Sequence, residues 1–189
     1  MTSKSKGSAR SLLERHLLKS RSVLLFGPIE PKLTKDIFQR ILVLNAADDT
    51  RPIKLLINSP GGVADDGFAI YDLIKSIKAP VTTIVTGLAA SAATIVMVAP
   101  PKEQRLILPN SRVMLHQPSS GVQGTASDIA ISAKEIIRLR KKANELFVRE
   151  TGQALEKLED DMHRDYWMNA QESVEYGLVD RVVESLDEF

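Results

Sequence analysis

The chain holds only three histidines and no cysteine, so the groups able to activate a nucleophile are few enough to weigh one by one. His16 and His163 fall on expected helix surfaces among charged residues. His116 ends the apolar run "RVMLHQP" just ahead of a Gly/Ser-rich loop, at the kind of strand end where α/β proteins place functional groups. One hydroxyl stands in a comparable place. Ser91 lies in "TGLAASAATIVM", residues 86–97, where a β-branched run passes into an apolar helix-like run. A helix N-terminus there would offer free backbone N–H groups and the positive end of a dipole, both of which steady a developing oxyanion. The turn "SPGG" at 59–62 supplies a second set of N–H donors at another strand end, unshielded by side chains. Acyl transfer needs a nucleophile, a base and two such donors. By residue type alone two plainer readings stand beside it: Ser91 as a small residue at a tight crossing, and His116 as a hydrogen-bonded strand end.

The elements that must position these groups alternate in type. "SLLERHLL" reads as a short amphipathic helix and "SVLLFG" as a buried strand closed by Gly27-Pro28. Thr34 is a candidate N-cap for a helix carrying Ile37, Phe38, Ile41 and Leu42 at helical spacing. "IKLLINS" is a second buried strand, and Gly67, Ile70, Tyr71, Ile74 and Ile77 mark the face of the next helix. "VTTIVTG" is a third strand running into the Ser91 stretch, whose helix Pro100-Pro101 stops. "RLILP" and "RVMLHQ" are short strands divided by Asn110-Ser111. The longest helix is expected from about Asp128 to Glu150, with a stripe of Ile136, Leu139, Ala143 and Leu146 and Gly152 at its C-cap. A second helix begins near Ala154, "NAQE" has a capping-box pattern for a third ended by Gly177, and "LVDRVV" is a closing strand. Repeated β–α alternation predicts an α/β fold with its sheet covered by helices.

Composition bounds the partners. With 189 residues, 43% apolar and 26% charged, the chain is an ordinary globular one, long enough for a core of its own. A net charge of +1 argues against nucleic acid, which would call for a basic excess. Without cysteine there are no disulfides, no thiolate metal sites and no cysteine catalysis, which suits a reducing compartment. No apolar run reaches the roughly 20 residues that span a bilayer, so no membrane is expected. Through Arg21 the chain carries Lys4, Lys6, Arg10, Arg15, Lys19 and Arg21 against one acid, Glu14. This start reads as a polar, basic arm or as a transit peptide, and secretion is not expected.

Five stretches, "INSPGG" at 57–62, "GLAAS" at 87–91, "LPNSRVMLHQP" at 108–118, "QGTASDI" at 123–129 and "EYGLVD" at 175–180, resemble the ClpP family of Clp protease proteolytic subunits. They occur in the family's order and spacing from about Leu17 to Val183. The resemblance implies a ClpP/crotonase-type α/β fold of repeated β-β-α units with a helix-plus-strand handle, in a ring-forming subunit. Residues 1–20 would be an N-terminal axial arm and 21–189 one protease domain, with a head over 21–117 and 165–183 and a handle over 118–164. It also implies a serine endopeptidase with Ser91 as nucleophile, His116 as base and Asp165, in "HRDYWM", as the acid; Asp160 and Asp161 match less well. The backbone N–H groups of Gly62 and Ala92 would form the oxyanion hole, and Gln123-Gly124 would pair with substrate as an added strand and help join rings. Family subunits form heptameric rings stacked as a tetradecamer, enclosing the sites. A hexameric AAA+ unfoldase feeds in unfolded polypeptides for cleavage to short peptides. ATP is used by that partner, so no cofactor or metal is expected here, and the implied location is the cytoplasm.

The sequence also departs from the family pattern. Ala92-Ala93 stand where Met-Gly is usual, which bears on cleavage preference. Lys54 and Leu56 occupy positions that often carry aromatic residues of the unfoldase docking pocket, so docking is expected to be weak. Tyr166 replaces an arginine that many relatives use between rings. These features suit a divergent paralogue, working in mixed rings with a second ClpP-type subunit. The rival readings are a non-catalytic ring subunit, a crotonase-type acyl-CoA enzyme of the same fold, and a membrane-associated Ser–Lys peptidase.

Overall fold

The computed structural model describes residues 12–119, 121–185 and 188. The expected arm over residues 1–20 lies outside the described residues as far as residue 11, and residues 12–19 are helical (α1). Six further helices follow: α2 (Pro31–Ala47), α3 (Ala64–Ser76), α4 (Ala92–Met97), α5 (Ala126–Thr151), α6 (Leu155–Asp161) and α7 (Ala170–Glu175). The strands are β1 (Ser22–Phe26), β2 (Ile53–Ser59), β3 (Val81–Ala90), β4 (Arg105–Ile107), β5 (Arg112–Leu115), β6 (Tyr166–Met168) and β7 (Arg181–Val182).

Helical crossovers α2 and α3 make β1, β2 and β3 parallel neighbours, and the sheet continues through β4 to β7 in the order β1-β2-β3-β4-β7. β3 is long enough to hold two partners in succession. Its first half pairs with β4 at Thr83–Val85, and its last residues, Leu88–Ala90, pair with β5. The apolar runs of β1 and β2 are buried on one face only. Val23, Leu25, Ile53, Leu55 and Ile57 are fully buried and join Ile37, Ile41, Ile70 and Ile74 of α2 and α3 in the main core. Leu24, Lys54 and Leu56 point to the other face and are half-buried.

Local sequence accounts for most boundaries, with three differences. α2 starts at Pro31 behind an extended Glu30, because proline at the first helical position is pre-set for a helix and lacks an N–H that would go unpaired there. Thr34 is therefore not the N-cap; it sits buried in the first turn and donates its N–H to Glu30 O at 2.9 Å. β6 has no counterpart in the sequence reading, since three residues carry too short a period to register. "LVDRVV" contributes only Arg181–Val182 to the sheet. Elsewhere the expectations hold: Asn169/Glu172 form a capping box and Gly152 ends α5, while a second capping box, Thr125/Asp128, starts α5 at Ala126, slightly ahead of the expected Asp128.

The end of α5 is tied into the sheet by a buried charge network. Arg105 on β4 donates to Pro100 O at 2.7 Å, to Glu150 O at 3.0 Å and to Glu150 Oε2 at 2.5 Å, while Tyr71 on α3 donates to Glu150 Oε1 at 2.5 Å. Burial opposes ionisation of Glu150, but the Tyr71 and Arg105 hydrogen bonds and nearby Lys75 outweigh it and hold the carboxyl below its usual range. Removing one member would strand a buried charge.

Candidate active site

Ser91 stands at the junction of β3 and α4 with φ 54° and ψ −126°, a conformation that costs a non-glycine residue free energy and persists only where the surroundings enforce it. Here they do. The Ser91 N–H donates to Met114 O at 3.0 Å, extending the β3·β5 pairing by one residue. From the other side the "SPGG" turn closes on it. A Cβ at Gly61 would lie 2.5 Å from Ala90 O and 2.7 Å from Ser91 Cβ, so only glycine fits. Behind the elbow, a Cβ on Gly67 of α3 would approach Ala92 Cβ to 3.2 Å. The small residues of "GLAAS" do serve a tight crossing, and the same crossing holds Ser91 in its strained turn.

The turn is locked to β3 by side chains as well. Asn58 Oδ1 accepts from Leu88 N at 3.2 Å, in space that any side chain on Gly87 would fill. Ser59 Oγ accepts from Gly61 N at 3.1 Å. Gly62 forms a parallel bridge with Ile29, in which Ile29 N donates to Gly61 O and Val63 N to Ile29 O. A parallel bridge uses the groups flanking Gly62, which turns the Gly62 N–H away from Ile29. Gly62, Ala92, Ser91 and His116 line one cavity of about 450 Å³, and the Ala92 N–H belongs to the first turn of α4, where no intrahelical acceptor exists.

His116 follows directly after β5. Its Nε2 lies 2.7 Å from Ser91 Oγ. On its other side, Nδ1 is 3.6 Å from Asp165 Oδ1, with side-chain exposures of 24% for the histidine and 62% for the aspartate. The antiparallel β5·β6 register explains the meeting: Leu115 pairs with Tyr166, so the next residue on one strand faces the preceding one on the other. With its Nδ1 proton toward Asp165, the imidazole has Nε2 free to accept the Ser91 hydroxyl proton. Of the three neighbouring aspartates only Asp165 faces His116. Asp161 Oδ2 is taken by Lys157 at 2.5 Å and by the Tyr176 hydroxyl at 2.7 Å, and Asp160 lies on α6.

A sequence model of the Clp protease family matches residues 5–186. The chain belongs to that family. Among curated relatives, the ATP-dependent Clp protease proteolytic subunit 3 of Rhizobium meliloti (strain 1021) is 47% identical over 175 residues, covering 93% of this chain and 89% of that protein. Proteolytic subunit 2 of Treponema denticola is 44% identical over 182 residues, covering 96% and 91%. Among solved structures, a mutant of ClpP1 from Listeria monocytogenes superposes with a TM-score of 0.86 at 39% identity, covering 93% of this chain and 98% of that one. The Clp protease assignment accounts for the mixed α/β architecture around a parallel sheet.

Other expected positions lie apart from this cavity. Gln123 and Gly124 are exposed, unpaired in any strand, and outside the cavity wall. Lys54 and Leu56 sit in the middle of β2, between Ser22 and Leu24 of β1 and Thr82 and Ile84 of β3. Tyr166 packs its ring on Tyr176 of the same chain. Sequence reasoning missed the apolar wall formed by Ile95, Met114, Phe147 and Met162. The signal for Ile95 was its place one turn past Ser91; nothing local marks Phe147 or Met162 as facing the same space. Among the described residues no group of His, Asp or Glu could hold a metal ion, and no helix is long and apolar enough to cross a membrane.

Proposed function

We propose that this Clp protease family chain is a serine endopeptidase subunit that cleaves unfolded polypeptides to short peptides. The observation that carries the reading is the 2.7 Å approach of His116 Nε2 to Ser91 Oγ on a strained strand-to-helix turn. Ser91 Oγ attacks the scissile carbonyl carbon while His116 Nε2 takes its proton, and Asp165 holds the Nδ1–H tautomer and offsets the imidazolium charge. The oxyanion forms between the N–H groups of Gly62 and Ala92. On collapse, His116 hands the proton to the leaving amine; a water molecule then repeats the sequence against the acyl-enzyme and frees Ser91. The apolar wall receives the side chain beside the cleaved bond, and Ala92-Ala93 tune that preference.

Assembly completes the reading. Heptameric rings stacked as a tetradecamer would enclose the sites, an AAA+ unfoldase would supply the substrate and spend the ATP, and Gln123-Gly124 would pair with the substrate backbone. Exposed Ile129, Ile131 and Ile137 on the first half of α5 support burial of that segment, the core of the handle over 118–164, against other subunits, leaving 21–117 and 165–183 as the head. The bacterial Clp relatives fit a cytoplasmic site of action, and the departures at Ala92-Ala93, Lys54 and Tyr166 fit a paralogue that works in mixed rings with a second ClpP-type subunit. The test is to size the purified protein and assay it alone on a short fluorogenic peptide. A ring-sized particle with turnover is expected; a monomer, or a ring inert with and without other Clp subunits, would contradict the proposal.

A further inference from the structure

Among the described residues, the Asp165 carboxylate has one recorded side-chain partner, His116 Nδ1 at 3.6 Å. No other donor among the described residues fixes it, so its position is inherited from the backbone around it. On the β5 side that backbone is held by Gln117, whose N–H donates to Met162 O at 2.8 Å and whose Nε2 donates to His163 O at 3.0 Å. On the far side stands a four-residue cluster that the reaction does not use. Tyr176, at 6% exposure, donates its hydroxyl to Asp161 Oδ2 at 2.7 Å. Its ring centroid lies 5.8 Å from that of Tyr166, the residue after Asp165. Lys157 Nζ is 2.5 Å from Asp161 Oδ2 and sits over both rings, 4.8 Å from Tyr176 and 5.8 Å from Tyr166.

The cluster thus grips the segment carrying Asp165 from both ends: Asp161 before it and Tyr166 after it. Tyr176 is itself fixed, donating its N–H to Glu172 O at 2.9 Å and accepting from Gln153 Nε2 at 3.0 Å. Burial, reinforced by the Asp161 carboxylate, pushes the Tyr176 phenol well up from its ordinary value, so the hydroxyl remains a donor throughout the neutral range.

We propose that Tyr176, acting through Asp161 and Tyr166, is a positioning residue that holds the Asp165 carboxylate opposite His116. The proposal rests on the catalytic reading of Ser91, His116 and Asp165. Tyr176→Phe keeps the ring contact and removes only the hydroxyl. It should lower kcat roughly tenfold, as a small misplacement of a catalytic group does, and leave KM unchanged. The decisive readout is coupling to Asp165, measured as the rate at which a fluorophosphonate labels Ser91. Tyr176→Phe should slow labelling in the wild-type background and change nothing further in the Asp165→Asn background. Asp161→Asn, which weakens the same hydrogen bond from its acceptor side, should repeat the pattern if Tyr176→Phe fails to fold. Equal penalties in both backgrounds, or an unaltered kcat, would overturn the positioning role alone. A wild-type chain that is not labelled at Ser91 would remove the catalytic reading and this proposal with it.

Discussion

Ser91 and His116 are set by the interior of the sheet, whereas Asp165 is set by its margin. The first pair hangs on β3 and β5, whose parallel pairing continues through the Ser91 N–H to Met114 O, and the two side chains meet at 2.7 Å. The aspartate precedes a three-residue strand, is 62% exposed, and stands 3.6 Å from its histidine. Ser91 and His116 therefore cannot part without disturbing the core. The carboxylate can drift on small local changes, and such contacts commonly tighten only with substrate bound.

The largest effect expected on this contrast is at the rigid half. Ser91→Ala should lower peptide hydrolysis by roughly four to six orders of magnitude with the particle size unchanged; steady-state turnover and sizing check both. Asp165→Asn should cost on the order of 10⁴ in kcat by releasing the imidazole tautomer, while Asp160→Asn stays close to wild type. If Asp160→Asn were the crippled variant, the margin of the sheet would be misassigned. Gly61→Ala tests whether the elbow is as unyielding as its contacts indicate. The added methyl meets backbone at 2.5 Å at a φ of +88°, so unfolding should be easier by about 1–3 kcal/mol and turnover should drop by about 10². A variant with native melting and turnover would show that the turn can give way.

A change that touches neither half should leave peptide turnover alone and act on partner binding. Lys54 and Leu56 face away from the main core on β2, where a pocket for an apolar anchor would be lined. Burying one such anchor is worth roughly 1.5–3 kcal/mol, about ten- to more than a hundredfold in affinity. Lys54→Tyr should accordingly strengthen AAA+ unfoldase binding in pull-downs and raise ATP-dependent casein degradation. Tight binding by the unmodified homomer would contradict this expectation.

The same contrast explains what the sequence made legible. Ser91, His116 and the "SPGG" turn were readable because each ends a strand long or apolar enough to recognise, and their small residues mark where backbone meets backbone. The α/β class followed from alternating strand and helix patterns, whereas the strand order and parallel pairing of β1, β2 and β3 come from the structure. β6 was not readable, since "YWM" has no period of its own and exists because β5 offers an edge. Without β6, Asp165 could be told from Asp160 and Asp161 only by resemblance, where the register with Leu115 now separates them. The Thr34 cap was misplaced because Pro31 outcompetes it, and Phe147 and Met162 reach the cavity through tertiary packing that local spacing does not encode.

Ser91, and no other serine of this chain, is proposed as the activated nucleophile. Treatment of the purified wild-type protein with a fluorophosphonate, followed by peptide mapping of the adduct, puts this to the test. Labelling at Ser91 alone, abolished by Ser91→Ala and strongly slowed by His116→Ala, is the predicted result. Labelling at another residue, or equal labelling with His116 replaced, would contradict it.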